Sequence, residues 1–276
     1  MSKGFVMMAV GKDYVLQACL CAMSIKHTGN MFPISVITND KIPSKYKKLF
    51  DKIVKIPWSN NKVDRFATTD RWKIYHASPY EETIVLDTDI LVLQSLNDFW
   101  KTLANYNLYF LTTAHTYRHK EVTSDYYRKA FTKNKLPNLY SAVHYFKKGP
   151  EAHNFYKWVE LVSNNWEFFY GQFCKEFYPK LPSMDITYAI VSKILDIDTE
   201  VVNSKSKFPM LVHMKPRIQE WRHMPTSWQT KVGAYLTDDC LLTIGNTLQQ
   251  GVFHYTENDF VRQEFLDRYA NAIGLE

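Results

Sequence analysis

Between Ile84 and Leu93 the chain reads Ile84-Val85-Leu86-Asp87-Thr88-Asp89-Ile90-Leu91-Val92-Leu93. Two apolar runs of strand length flank two carboxylates, where a buried hydrophobic segment would otherwise continue. An ionised carboxylate taken out of water is costly unless a cation, a metal or several hydrogen-bond donors meet it. A fold that accepts this segment must end a buried strand here and bring positive charge to that end. On extended backbone a spacing of two puts both side chains on one face. Such a pair can hold a hard divalent cation that keeps positions open for ligand phosphates. The competing reading is a solvated turn with two incidental acids, and the long, symmetrical apolar flanks argue against it.

Upstream, strand and helix alternate. Phe5 to Val10 is a continuous apolar run, as expected of a strand buried on both faces. Tyr14 to His27 has the apolar spacing of an amphipathic helix and stops at Thr28-Gly29-Asn30. Ile34 to Thr38 and Lys52 to Ile56 predict two further strands, with a short helix around Tyr46 to Phe50 between them. Arg65 to Ala77 predicts a helix closed by Ser78-Pro79. This order argues an α/β sheet with right-handed crossovers. Ligands of such sheets bind at the carboxyl ends of strands, and the turns after Val10 and after Leu86 qualify.

The second half is less regular. Asn107 to Thr113, Ser141 to Phe146 and Phe208 to Met214 predict strands, and Glu151 to Trp166 a long helix. Ser183 to Leu195 predicts another helix, with Ser183 as N-cap and Asp185 in its first turn. Cys240 to Tyr255, broken near Gly245-Asn246, suggests a hairpin, and Thr256 to Asp259 a cap opening the last helix. No repeat, low-complexity stretch or clear linker divides the chain.

Composition narrows the function classes. With 276 residues, 46% hydrophobic and 22% charged, the chain is globular rather than disordered. Its net charge of +6 favours anionic ligands, while the basic residues are scattered in short pairs. Nucleic acid is therefore not indicated. No stretch approaches the roughly 18–20 apolar residues of a membrane span, and Phe5 to Val10 is too short for a signal-peptide core. The four cysteines form no Cys-x-x-Cys or Cys/His cluster, which suits buried thiols in a reducing, cytoplasmic setting better than zinc.

In sequence order, several features together resemble a known family. They are the opening strand with Gly11-Lys12-Asp13-Tyr14 before a long helix, a basic helix with Arg71 and Lys73, and the hydrophobic-flanked Asp87-Thr88-Asp89. Ser141-Ala142-Val143, the acidic helix start at Asp185, and Leu211-Val212-His213-Met214-Lys215-Pro216 complete the set. The chain resembles a glycosyltransferase of GT-A fold, of the retaining family 8 type that includes glycogenin and bacterial galactosyltransferases. The resemblance implies a mixed, mainly parallel sheet with helices on both faces. It implies one GT-A domain over 1–276, with a nucleotide-sugar-binding part over about 1–115 and an acceptor or closing part over about 116–276.

The site roles follow from the same resemblance. Asp87 and Asp89 match the pair that holds Mn²⁺ or Mg²⁺ and the nucleotide diphosphate, and His213 matches the third metal ligand. His254 ends Gly251-Val252-Phe253 in a similar context; the Lys215-Pro216 that follows His213 favours the latter. Lys215 matches a diphosphate contact, and Tyr14 with the backbone of Val10 and Gly11 the uracil-stacking position. Arg71 and Lys73 match residues that reach the donor and Asp185 the carboxylate beside the donor sugar, which makes Asp185 and Lys73 the candidate catalytic residues. Taken singly, Tyr14 and His213 also read as core, Lys73 as a solvated face and Asp185 as a helix-dipole partner.

The implied activity is metal-dependent transfer of a sugar, from a UDP-hexose donor to an acceptor the sequence does not name, with retention. The sequence departs from the family at Tyr140-Ser141-Ala142, where Asn-Ser-Gly is frequent, and at Ile186, where Gln commonly stands. These departures keep a sugar-nucleotide- or carbohydrate-binding protein without turnover as an alternative. A magnesium phosphohydrolase of the haloacid dehalogenase type is the other, with Asp238-Asp239 as its second acidic pair.

Overall fold

The structure, a computed structural model, describes residues 2–59, 67–122, 128–202, 209–215 and 227–275. Its strands are β1 (Lys3–Met8), β2 (Ile34–Ile37), β3 (Lys52–Val54), β4 (Glu82–Leu86), β5 (Ile90–Val92) and β6 (Leu108–Leu111). They continue with β7 (Tyr140–Lys147), β8 (Leu211–His213), β9 (Ala234–Leu236), β10 (Leu242–Ile244), β11 (Thr247–Leu248) and β12 (Val252–His254). The helices are α1 (Lys12–His27), α2 (Lys73–Ala77), α3 (Phe99–Leu103), α4 (Lys129–Asn134) and α5 (Pro150–Asn164). After them come α6 (Trp166–Phe173), α7 (Met184–Ile194), α8 (Asp198–Val202) and α9 (Gln263–Ala272).

A six-stranded sheet in the order β3-β2-β1-β4-β7-β6 forms the centre. β1, β2, β3 and β4 pair in parallel, and β7 runs against both of its neighbours. The apolar runs of β1 and β4 follow from their place inside this sheet, where side chains alternate between two covered faces. Phe5 and Met7 join one core with residues of α1, α3 and α9. Val6 and Val85 join the other with residues of α2, α5 and α7. The mixed, mainly parallel sheet with helices on both faces is thus the architecture observed.

Two smaller sheets complete the described residues, β11-β10-β9 and β5-β12-β8. The second matters most for the site. β12 lies in its middle, antiparallel to β5 with His254 opposite Ile90, and parallel to β8 with His254 opposite His213. The chain leaves the large sheet at Leu86 and enters this small sheet at Ile90, so Asp87-Thr88-Asp89 is the crossing between them.

Several elements differ from the sequence expectation. The helix expected from Arg65 to Ala77 is, over its described part, a 3-10 turn at Ala67–Asp70 and then α2, broken at Arg71-Trp72; residues 65 and 66 lie outside the described residues. The expected long helix to Trp166 divides at Asn165 into α5 and α6. Ser183 occupies the N-cap of α7 without a side-chain capping bond; its backbone N–H donates to the Tyr170 hydroxyl at 2.9 Å instead. The Cys240–Tyr255 segment forms the β10–β11 hairpin, but Val252–His254 departs to the other small sheet. Thr256–Asp259 runs into a 3-10 turn at Asn258–Phe260, and α9 starts only at Gln263. Phe208 and Pro216, which bounded the expected strand and its motif, lie outside the described residues.

Gly251 sets the entry into β12. Its φ is +74°, and a Cβ there would meet the Met210 carbonyl oxygen at 2.2 Å. Backbone cannot yield as a flexible side chain can, and the left-handed conformation adds strain for any L-residue. Gly251→Ala should therefore destabilise the protein by more than about 2 kcal/mol, read as a lower urea midpoint at unchanged slope. An unchanged midpoint would show that this turn is not constrained.

Candidate active site

The tripeptide at the carboxyl end of β4 is held from three sides. Asp87 N–H donates to the Ala142 carbonyl of β7 at 2.9 Å, and Tyr255 N–H donates to the Asp89 carbonyl at 3.1 Å. The Thr88 hydroxyl donates to Gln17 Oε1 of α1 at 2.9 Å, and Gln17 Nε2 in turn donates to Asn258 at 2.8 Å. With Thr88 turned into the core, both carboxylates face the other way, as the spacing of two requires.

Each carboxylate meets a positive or protonatable partner. Arg71 Nη2 pairs with Asp87 Oδ1, and the Arg71 Nε is buried without a hydrogen-bond partner among the described residues. His254 Nε2 lies 3.0 Å from Asp89 Oδ2. Burial alone would lower the His254 pKa, but the Asp89 carboxylate raises it above the ordinary imidazole value. Burial would correspondingly raise Asp89; His254, and further off Arg71, hold it below the ordinary carboxylate value. His213, by contrast, is pushed well down, first by burial and then by the positive charge of His254, Lys215 and Arg128.

Ligand atoms of Asp87, Asp89 and His254 all lie within 4.8 Å of one another. Two carboxylates and one imidazole are the hard and borderline donors that suit Mn²⁺ or Mg²⁺. A proton on His254 Nε2 and a divalent cation are alternatives at this nitrogen, so the donor set fits a cation. The expectation gave the third ligand to His213; among the described residues, the ligand atoms that converge with those of Asp87 and Asp89 are those of His254. In the small sheet β12 lies between β5 and β8, so His254 is interposed between His213 and Asp89. His213 contacts His254 of the cluster, Nδ1 to Nδ1 at 2.9 Å.

Two cavities meet at Arg71 and Asp87. One, of about 180 Å³, is lined by Met8, Val10 and Tyr14 with Thr88 and Asp89. It lies at the end of β1, and Tyr14 is 43% exposed there. Gly11, at φ +100°, turns the chain from β1 into α1 and donates its N–H to Asp40 Oδ2 at 2.7 Å. The other cavity, of about 210 Å³, lies over β7 and the start of α7 and includes Ser141, Asp185, Lys215 and both histidines. Val10, Tyr14, Arg71 and Lys215 therefore line the space around the acidic pair.

Lys73 and Asp185, both expected at the donor, are each held in an ion pair. Lys73 is buried with its Nζ 2.7 Å from Asp70, and it lines neither cavity. It points there because α2 begins only after the Arg71-Trp72 break, which gives the strand end to Arg71. Asp185 does line the second cavity, but both carboxylate oxygens are engaged. Oδ1 accepts the Ser141 N–H at 2.8 Å, and Oδ2 accepts Arg128 Nη1 at 2.5 Å.

Arg128 is the residue that sequence reasoning missed. Its guanidinium lies 3.8 Å from the Phe131 ring centroid and 4.1 Å from that of Tyr140, a cation between two aromatic faces. Its remaining donors reach Asn138 Oδ1 and the Leu139 carbonyl. No pattern in the sequence distinguishes this arginine from the others. The acidic pair Asp238-Asp239, expected of a phosphohydrolase, lies instead at the β9–β10 turn, where Asp238 meets Arg268 of α9 at 3.3 Å.

No protein-family model matches the sequence, and no curated protein matches it. Among solved structures, the galactosyltransferase LgtC in complex with donor and acceptor sugar analogues aligns over 98% of this chain and 95% of its own. Its TM-score is 0.50 and its identity 13%. Mouse xyloside xylosyltransferase 1 aligns over 95% of this chain and all of its own, at a TM-score of 0.47 and 10% identity. The glycosyltransferase GlyE of Streptococcus pneumoniae aligns over 70% of this chain and 43% of its own, at 0.39 and 13%. At such identities it is the fold that is shared, and the LgtC alignment identifies it as GT-A.

The Asp185 pair has a pH signature. Burial would raise this carboxyl, but Arg128, then Lys215 and the Ser141 N–H, bring it from 3.8 down to about 2. A group depressed on folding stabilises the protein above its unfolded pKa, and that contribution disappears as pH falls through the folded value. Asp185→Asn should remove about 2 kcal/mol from the difference in stability between pH 5 and pH 2. Urea unfolding at the two pH values checks this; an unaltered difference would mean the carboxylate is not held by Arg128.

Proposed function

We propose that this chain is a glycosyltransferase, moving a hexose from a uridine diphosphate donor to an acceptor in a metal-dependent reaction, with retention at the anomeric carbon. The observation that carries the reading is the meeting of Asp87, Asp89 and His254 at the seam between two cavities, on a GT-A sheet. The four cysteines, all buried and unpaired, support the cytoplasmic setting. Among the described residues, no helix is long and apolar enough to cross a membrane.

The arrangement suggests a division of labour. The cavity at Val10 and Tyr14 takes the base, with the Tyr14 ring as its stacking face. Asp87, Asp89 and His254 hold Mn²⁺ or Mg²⁺, which when bound offers Lewis-acid stabilisation to the diphosphate. The cavity over β7 and α7 takes the sugar. In this reading residues about 1–115 supply most of the donor site, with Lys215 and His254 added to it from residues about 116–276, which also close over the sugar and receive the acceptor.

Charge balance supports this order. The two aspartates of the crossing are offset by Arg71 and Lys215, and Asp185 by Arg128. A divalent cation together with a doubly charged diphosphate leaves the lining neutral again. In the reaction the bond between the anomeric carbon and the terminal phosphate oxygen breaks, and its electron pair stays on phosphate. An acceptor hydroxyl forms the new glycosidic bond and gives up its proton to the departing diphosphate. Arg71 and Lys215 line the cavities beside the acidic pair, where fixed positive groups would contribute most as charge develops on the phosphate. Asp185 acts through Ser141 and Arg128, shaping the sugar end rather than presenting a free carboxylate.

A second reading, donor binding without turnover, is favoured by one observation, the full engagement of Asp185. A panel of nucleotide sugars with Mn²⁺, followed by nucleoside diphosphate release with glycan, protein, lipid and nucleobase acceptors, separates the two. UDP release from a UDP-hexose supports transfer; binding with no release supports the second reading; release of phosphate from simple esters overturns both.

Two substitutions sharpen the test. Asp89→Asn should weaken metal-dependent UDP binding by more than the roughly 10- to 100-fold lost when a group behind a ligand is changed. Tyr14→Ala should weaken UDP binding by about 1–2 kcal/mol, measured by calorimetry. Unchanged affinity in the Tyr14 variant would remove that ring from the base site.

A further inference from the structure

Behind the Asp89–His254 contact lies a second imidazole that the proposed reaction does not use. His213 and His254 are Cα partners on the parallel strands β8 and β12, and both side chains are buried. Their Nδ1 atoms are 2.9 Å apart, and their ring centroids 4.6 Å. The edge of the Tyr140 ring packs on His213 at 5.8 Å between centroids. His213 is not one of the residues whose ligand atoms converge with those of Asp87 and Asp89.

Two imidazole nitrogens this close need one proton between them, and the two ways of placing it have opposite consequences. If His213 donates, the neutral His254 carries its own proton on Nε2, the nitrogen that faces Asp89. That nitrogen then has no lone pair for a cation. If His254 donates from Nδ1, its Nε2 is bare and aimed beside the Asp89 carboxylate. The hydrogen bond made by the far nitrogen of a ligand histidine therefore selects the ligating tautomer and holds the ring in orientation.

We propose that His213 is a positioning residue for the cation site: it accepts the Nδ1–H of His254 and so keeps His254 Nε2 turned toward Asp89 and free to ligate. The proposal rests on the reading of Asp87, Asp89 and His254 as a cation's ligands. The role usually played by a carboxylate or a backbone carbonyl behind a metal-bound histidine is taken here by a neutral imidazole. The parallel register of β8 and β12 makes this possible, since it puts both rings at one level on one face of the small sheet. When the cation binds, the Nε2 proton leaves to solvent and the Nδ1 proton stays between the two rings.

The test is Mn²⁺ binding to the whole protein without nucleotide, followed by the electron paramagnetic resonance signal of free Mn²⁺. Three variants are compared with wild type: His213→Phe, which keeps a ring but no acceptor; His213→Asn, which returns an acceptor near the Nδ1 position; and Asp89→Asn. Thermal melts verify that each is folded. His213→Phe is expected to bind Mn²⁺ about 10- to 100-fold more weakly, and His213→Asn to recover to within about threefold of wild type, the outcome a packing role alone would not produce. Nitrogen-15 spectra of the Mg²⁺-loaded wild type should show His254 protonated at Nδ1.

If His213→Phe binds like wild type while Asp89→Asn does not bind, the positioning role is overturned and the cation site stands. Equal loss in the Phe and Asn variants also overturns it, since the effect is then one of packing. Should wild type fail to bind Mn²⁺, or Asp89→Asn bind as well as wild type, the cation reading itself fails and the positioning role falls with it.

Discussion

The crossing from the large sheet to the small one imposes the central constraint on this structure. A chain that leaves β4 at Leu86 and enters β5 at Ile90 has three residues in which to change sheets, and two of them are acids. Removing such carboxylates from bulk water costs several kcal/mol each unless they are matched by charge and hydrogen bonds. The matching groups come from elements remote in sequence: Arg71 from the turn before α2, His254 from β12, and Gln17 of α1 behind the intervening threonine. The helix break at Arg71-Trp72 and the placement of β12 beside β5 both serve this one short segment.

The two cores explain why the crossing is so firmly placed. Alternate residues of β1 and β4 pack into opposite layers of helices, so sliding either strand by one residue would exchange the contents of both layers. The parallel pairing of β1 with β4 brings the ends of both strands to one edge of the sheet. There the first helix starts at Gly11 and the acidic crossing begins. The two cavities at this edge are consequences of strand order, as in other open α/β sheets.

Arg128 and Asp185 show a second kind of dependence. A buried ion pair is seldom a net gain over apolar packing, but breaking one by removing a partner is costly. Here the pair joins α4, the start of β7 and the start of α7, since the same carboxylate also accepts the Ser141 N–H. The wall of the cavity over β7 and α7 is therefore stiffened by charge rather than by a hydrophobic contact. Both oxygens of the Asp185 carboxylate are engaged in holding these elements together.

The sequence by itself determined the local features. The apolar runs of Phe5–Val10 and Ile84–Leu86, the helix after Gly11, and the demand for positive charge at Asp87 and Asp89 follow from side-chain periodicity and from the cost of burying carboxylates. The sheet with helices on both faces was legible for the same reason. Boundaries such as the break at Asn165 were less so, because the aromatic residues on either side of it suit one helix as well as two. Tertiary structure alone decided which partners answer the acids. His213 and His254 each end a short apolar strand, and local pattern cannot separate them; the order β5-β12-β8 does, by putting β12 next to the strand that follows Asp89. Arg128 and Lys73 are ordinary cations in the sequence, and only packing sends one to Asp185 and the other to Asp70. A strand's neighbours are chosen by contacts between residues far apart along the chain, and those contacts leave no mark in the spacing of residues near each other.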